Sequence, residues 1–408
     1  MPDHRSIQLT LEDLKAACSP GGASVLTSVC HLAPAVGPHG TVAPAKYSEG
    51  RGRDAKAVYA YTRMVTDGQL ATAVFLSSKQ DQAHRRQTAL ASAMDDDTHP
   101  AHEVMRRVPR IVLRYAGSEV GYTDLDLPHR FTDGHLRAGT HRGAPMTEND
   151  AYRAARNATP RDMTPLFNLS PISVAHGAWD STRKSNQVRL SSAMVSEIVG
   201  VLADQGPDAM KPLPRGAARV DPVAASIQLG KADLKKIADR QKDEISAKLY
   251  KSVTGANGRP SHIGLGNIPP SLNTIGTVAC SEIIRSTVLS FAMLRQLRFG
   301  GSAEQDVAFR AVLAALTLLG MALSDDELHL RANCHLVECD EPQVKLDGRY
   351  GRSTQLAPIT ADLAVDLLAQ AYTHAAEVGD FVWDGQVFEV DGDPMILANS
   401  SADDPEDS

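Results

Sequence analysis

Aromatic residues are scarce: 8 Phe, 9 Tyr and 2 Trp make up 5 % of a chain of 408 residues. A protein that reads a nucleic acid by extensive base stacking needs rows of exposed rings, so stacking platforms are limited and any such binding should rely on the backbone and tolerate sequence. Cysteine is sparser still. Cys18, Cys30, Cys280, Cys334 and Cys339 are odd in number and scattered, which excludes a small disulfide framework and predicts reduced thiols in a cytosol. Long hydrophobic runs are missing as well. The best, Ala308–Leu323, is interrupted by Arg310 and Gly320 and falls short of the roughly 20 apolar residues a membrane helix needs. Met1–Leu14 alternates charged and polar residues without the apolar stretch of a signal peptide. The expectation is a soluble cytoplasmic protein with no membrane partner. Apolar residues at 42 % and charged residues at 22 % are ordinary globular usage.

Catalytic signatures are also lacking. The chain has no Walker A loop, no H-E-x-x-H and no G-x-S-x-G elbow. Gly264-Leu265-Gly266 opens like a dinucleotide loop, but Pro269 stands where a helix would start. Ser181-Thr182-Arg183-Lys184 fits S-x-x-K without a K-T-G partner. Asp95–His102 packs acids and histidines into eight residues, and Cys334, His335 and Cys339 lie close together. Neither set has the spacing that closes a metal site. No constellation of residues supports an enzyme, a cofactor or a metal site, though none of this excludes an enzyme.

What is present is an uneven charge. The net is −7, yet residues 1–220 hold 26 basic against 22 acidic side chains, and residues 221–408 hold 16 against 27. Seven acids fall in the last twenty residues. Such asymmetry suits a polyanion-facing surface followed by an acidic tail.

Periodicity predicts strands at Ala23–Cys30, Ala57–Val65, Ala71–Leu76, Arg110–Tyr115, Leu169–Ala178, Val223–Leu229, Asn333–Glu338 and Gln386–Val390. Asp67-Gly68 marks a hairpin. Helices are expected at Val188–Asp204, Lys231–Lys251, Ser281–Phe299, Glu304–Leu323 and Thr360–Val378, the last capped by Thr360. Gly121–Pro165 has no periodicity and reads as a long polar insertion; 399–408 reads as a disordered acidic end. Small groups of strands separated by helices indicate an α+β fold.

Four stretches suit a phosphate backbone. Ser77–Arg86 supplies Ser78, Lys79, Gln80, Gln82, Arg85 and Arg86 at what should be a helix start, where free N–H groups attract anions. Arg51, Arg53 and Lys56, and then Arg106, Arg107, Arg110 and Arg114, flank strand candidates. Trp179–Arg189 places Ser181, Thr182, Arg183, Lys184, Asn186 and Arg189 in a loop. In Ser261–Pro270 the glycines Gly264 and Gly266, beside Asn267, permit close backbone approach, and Pro269-Pro270 stiffens the exit.

Taken in order, these blocks resemble the backbone subunit of subtype I-U (I-G) CRISPR effector complexes, a member of the RAMP superfamily. Gln80, Gln82, Ala83 and Arg85 match that family's S-x-Q-S-Q-A-N-R, with His84 where asparagine is usual. Trp179-Asp180-Ser181-Thr182 and Val195–Gly200 match the second block, with Arg183–Gln187 in place of a glycine-rich stretch. Pro260-Ser261, Ile263-Gly264 and Gly266–Pro270 match the third, and Leu289-Ser290, Leu294-Arg295 and Leu297-Arg298-Phe299 the fourth.

The resemblance implies an RRM-like (ferredoxin-like) palm over residues 1–398, with a finger insertion at about 121–165, a thumb at about 206–258 and the acidic tail at 399–408. It implies a subunit that polymerises along CRISPR RNA and presents the guide for pairing with target DNA, beside other copies and other effector subunits. An alternative within the superfamily is a metal-independent endoribonuclease that processes precursor CRISPR RNA, with His84 or His262 as general base.

Overall fold

The computed structural model describes residues 7–50, 55–118, 121–184, 188–211, 213–217, 229–265 and 271–399. Strand β1 (Val25–Pro34) is followed by the hairpin β2 (Tyr61–Thr66) and β3 (Gln69–Ser77). Its turn residues Asp67 and Gly68 sit at φ 50° and 73°, the left-handed pair that the dipeptide favours. Helix α1 (Lys79–Asp95) starts directly after β3, and strand β4 (Arg110–Arg114) comes next. Two long strands, β5 (Met194–Leu202) and β6 (Cys280–Ser290), precede the 24-residue helix α2 (Ala303–Asp326). The hairpin β7 (Gln343–Asp347) and β8 (Ser353–Leu356), helix α3 (Ala361–Val378) and strand β9 (Val387–Asp391) complete the frame. This is an α+β arrangement.

The main sheet runs β8-β7-β1-β6-β5-β3-β2, with Leu336–Glu338 pairing along the end of β1, and every neighbouring pair is antiparallel. One face is buried by side chains in register: Leu26, Leu289 and Met194 form one row, and Ser28, Thr287 and Ser196 the next. From α1, Arg86 reaches that second row, donating to Ser196 Oγ at 2.8 Å and to the Met194 carbonyl at 3.3 Å. At the far end of α2, Asp325 lies 3.3 Å from the buried Arg285 of β6. A second sheet pairs β4 with β9 in parallel and adds the short strands Gly121–Thr123, Thr140-His141 and Ala144-Pro145.

The few aromatics gather at one place. Phe167 stacks on Phe309 of α2 at 4.9 Å, and Phe299, Phe381, Tyr372 and Trp383 close around them. Trp383 Nε1 donates to the Phe167 carbonyl at 3.1 Å, satisfying its one polar atom. Truncating a ring such as Phe167 to alanine would cost about 3–5 kcal/mol. Helix α2 is long and apolar enough to cross a membrane by length and composition, but 89 % of its most hydrophobic window is buried in this core.

Several sequence expectations fail for identifiable reasons. Val188–Asp204 is not a helix: Met194–Leu202 is strand β5. Ser281–Phe299 is strand β6 followed by the short helix Phe291–Leu294. Both strands lie inside the sheet: the second half of β5 buries residues on both faces, and the buried face of β6 carries Arg285 and Thr287, so neither shows a clean apolar–polar alternation in sequence. Leu169–Ala178 is mostly helical instead of extended, because Pro165 and Pro171 stand within the first two positions of the helices Thr164–Leu169 and Pro171–His176, and only Ala178 joins a strand. Lys231–Lys251 breaks into Lys231–Arg240 and Ala247–Thr254, with Ser246 accepting from the Leu249 N–H as a new cap. Those two helices form a satellite cluster around Leu234, Ala238 and Val253.

Gly121–Pro165, expected to be irregular, is folded into the main core through Phe131, Leu136, Met146 and Tyr152. The strand expected at Val223–Leu229 and the acidic end lie outside the described residues, apart from Leu229 and Asn399.

Candidate nucleic-acid interface

The switch from strand to helix at Ser77-Ser78 sets the site. Ser78 is extended and its hydroxyl accepts from the Asp81 N–H at 3.2 Å, which caps the first turn of α1. Lys79 and Gln80 are exposed on that turn, and Lys79 Nζ is 3.7 Å from Glu197 of β5. Gln82 and Arg86 point inward. Gln82 donates to Ser77 Oγ at 2.8 Å, and Arg86 is 1 % exposed. Burial pushes the Arg86 pKa down to about 10, and its work is to tie α1 to β5. Arg85 is also engaged, bonded to Asp81 at 3.2 Å and donating to the Leu330 carbonyl at 2.8 Å. Of the first predicted block, Ser78, Lys79 and Gln80 therefore remain at the surface, together with His84.

A segment that the sequence left without pattern forms the opposite wall. Asp124 is buried and accepts from the Ile111 N–H at 3.1 Å and from the Ser170 hydroxyl, which anchors the loop that follows. Six residues on, Arg130 takes a left-handed backbone (φ 49°) and bridges two elements. Its Nε donates to Gln87 Oε1 at 2.9 Å and its Nη1 to the Gly177 carbonyl at 2.9 Å. Gly177 itself must be glycine. Its φ is +84°, and a Cβ there would stand 2.8 Å from the Leu190 carbonyl oxygen. Between α1 and this wall opens a cleft of about 690 Å³, with Lys79, Gln80 and His84 at one side and Arg130 and His176 at the other.

Beyond Gly177 lies the second predicted block. Ala178-Trp179 pairs with Arg189-Leu190, and the turn between them is held from beneath by Asp180. That carboxylate accepts from Arg156 Nε at 2.9 Å and Nη2 at 2.6 Å, and from Thr182 Oγ1 at 2.9 Å. Thr182 also accepts from Arg137 Nη1 at 2.9 Å. Arg183 donates to the Arg156 carbonyl at 2.6 Å and to Asn157 Oδ1 at 2.9 Å. With these groups occupied underneath, Trp179 stands 56 % exposed with the Arg189 guanidinium 5.2 Å above its ring, and Ser181 and Lys184 are exposed beside it. An exposed indole capped by a cation, next to a free lysine, can stack a base and hold its phosphate.

The two blocks thus meet through Arg130. The glycine loop does not join them in the described residues: Pro260–Ile263 packs with the satellite helices, where His262 Nδ1 is 3.3 Å from Ser252 Oγ, and Gly264 ends the turn at φ +76°. Gly266, Asn267 and Asn186 lie outside the described residues, as do Arg51 and Arg53. Among the described residues no group of three His, Cys, Asp or Glu could hold a metal ion. Reading the sequence did not place Arg130, Arg137 or Arg156 at the site, since they sit in a segment without periodicity, nor His176, which fell in an expected strand. It quoted Trp179 only as part of a motif, although a lone tryptophan flanked by polar residues was itself a signal.

Residues 26–205 match a family model described as CRISPR-associated protein GSU0053. The match makes this stretch of the chain similar to a CRISPR-associated protein family. It runs from β1 to just beyond β5 and takes in both walls of the cleft and the tryptophan turn. No curated protein matches the chain.

Proposed function

We propose that the protein is a non-catalytic, cytoplasmic RNA-binding backbone subunit of a type I CRISPR effector complex, of the I-U (I-G) kind. It would polymerise along the CRISPR RNA, with target DNA paired to the guide and other subunits docked on the resulting filament. The observation that carries this reading is the position of the family match, which spans the cleft and the tryptophan turn where the exposed cations and the exposed indole lie. The strand order adds support. The four central strands β7-β1-β6-β5, read with α1 and α2, follow the β-α-β-β-α-β succession and antiparallel order of an RRM-like palm.

In this reading the phosphate backbone is gripped by Lys79, Lys184, Arg189 and the first turn of α1, and recognition is tolerant of sequence. The satellite helices, carried on the strand pair Pro214–Ala217 and Ser271–Ile275, serve as the thumb. The test is binding to CRISPR RNAs of two lengths, followed by mass and by salt dependence. Incubation with precursor RNA yields no discrete fragments in this reading; fragments abolished by His84→Ala would assign RNA processing instead.

A further inference from the structure

We propose that the tip of the β7–β8 hairpin is a second RNA contact, with Tyr350 stacking on a base and Arg349 and Arg352 holding the phosphates beside it. This contact presupposes the RNA-binding reading above and adds to it a segment outside the matched residues 26–205.

The turn that joins β7 to β8 is closed by the Arg352 N–H, which donates to the Arg349 carbonyl at 3.2 Å. Its two central residues, Tyr350 and Gly351, sit at φ 60° and 69°. Such a turn ordinarily carries Asn-Gly or Asp-Gly, as the chain's own Asp67-Gly68 does. A bulky side chain in the left-handed region is strained. Of the five described non-glycine residues at positive φ, Tyr350 is the aromatic one. Its ring is 91 % exposed, so packing within the chain does not offset the strain. A strained residue that the fold itself does not use points to a partner for its side chain.

Charge and position identify that partner. Arg349 and Arg352 flank the tyrosine and are exposed, so the tip offers a ring between two cations that pair well with phosphate. Asp347, the last residue of β7, is in register with Val25 of β1, and Val25 with Ser290 of β6. The Ser290 N–H in turn donates to the carbonyl of Ala193 at 2.8 Å, one residue before β5. The tip therefore leaves the sheet at the end where the chain enters β5 from the turn that presents Trp179, Lys184 and Arg189. Three strand spacings, about 14 Å, separate β7 from β5 there. A strand of RNA laid across this end meets two exposed rings, each with cations beside it.

The experiment measures binding of the full chain to a labelled single-stranded RNA over a range of salt, beside thermal melting. Tyr350→Asn replaces the ring with a residue that the turn prefers. It should raise the melting temperature and yet weaken RNA binding about tenfold, as the loss of one base–aromatic stack does. Tyr350→Phe keeps the ring and should bind like the wild type. Reversing Arg349 and Arg352 together to glutamate should lower the slope of log K against log salt by about two. If Tyr350→Asn binds RNA as tightly as the wild type, the tip contact is overturned while the RNA-binding reading stands. If that variant, binding normally, also stops accumulating on longer RNA, the tip is a contact between protein copies instead. If the wild type binds no RNA at all, both are overturned.

Discussion

Arg156 grips the buried Asp180 from two nitrogens at once, Nε at 2.9 Å and Nη2 at 2.6 Å, both on Oδ2. Asp180 is 1 % exposed, so this pair is what allows a carboxylate to sit beneath the turn that presents Trp179 and Lys184. Arg156→Leu leaves that carboxylate buried without its cation. It should cost about 3–5 kcal/mol in urea unfolding, whereas pairing it with Asp180→Asn should recover most of the loss. Equal losses in the single and double variants would mean that the pair is not what holds the turn.

Trp179 is expected to matter for binding and not for folding. Trp179→Ala should change stability by less than about 0.5 kcal/mol and weaken RNA binding by about 1–3 kcal/mol, the usual value of one base–aromatic stack. The chain has one other tryptophan, the buried Trp383. Fluorescence quenching on RNA addition should therefore vanish in Trp179→Phe. Quenching that persists in this variant would place the RNA elsewhere.

Lys79 and Lys184 are proposed to meet phosphates. Reversing each to glutamate should weaken RNA binding uniformly across sequences and lower the slope of log K against log salt by about one per lysine removed. A loss confined to particular sequences would point to base contacts instead.

Asp124 gives a pH signature. Burial raises its carboxyl to about 6 from 3.8, even though the Ser170 hydroxyl and the Ile111 N–H both favour the charged form. The folded state holds the proton more tightly than the unfolded chain. The stability from this group is therefore complete at acid pH and is lost as the pH rises through about 6. Relative to Asp124→Asn, the wild type should lose up to about 3 kcal/mol between about pH 4 and pH 7. A gap between the two proteins that stays constant over that range would refute the assignment.

The parts of the fold that were legible in the sequence are those decided locally. Asp67-Gly68 turns its hairpin, Ser78 starts α1, and Thr360 caps α3 by accepting from the Leu363 N–H at 3.2 Å. Strand β5 was not legible, because Leu190, Met194, Ile198 and Val201 fall at helical spacing by coincidence while β5 buries residues on both of its faces. The cleft was half legible. Lys79 and Gln80 announce themselves beside a strand end. Arg130 and Arg156 acquire their roles only when distant segments fold together, Arg130 across 43 and 47 residues to Gln87 and Gly177 and Arg156 across 24 to Asp180. Arg86 illustrates the converse error, since a cation in a basic motif reads as surface and here is spent on Ser196 inside the protein.

Light scattering on the chain with CRISPR RNAs of two lengths, at low and high salt, tests the central claim most directly. A filament-forming backbone subunit gives a complex whose protein mass grows in proportion to RNA length and which dissociates as salt is raised. A small oligomer of fixed mass, unchanged by either RNA at low salt, would contradict it.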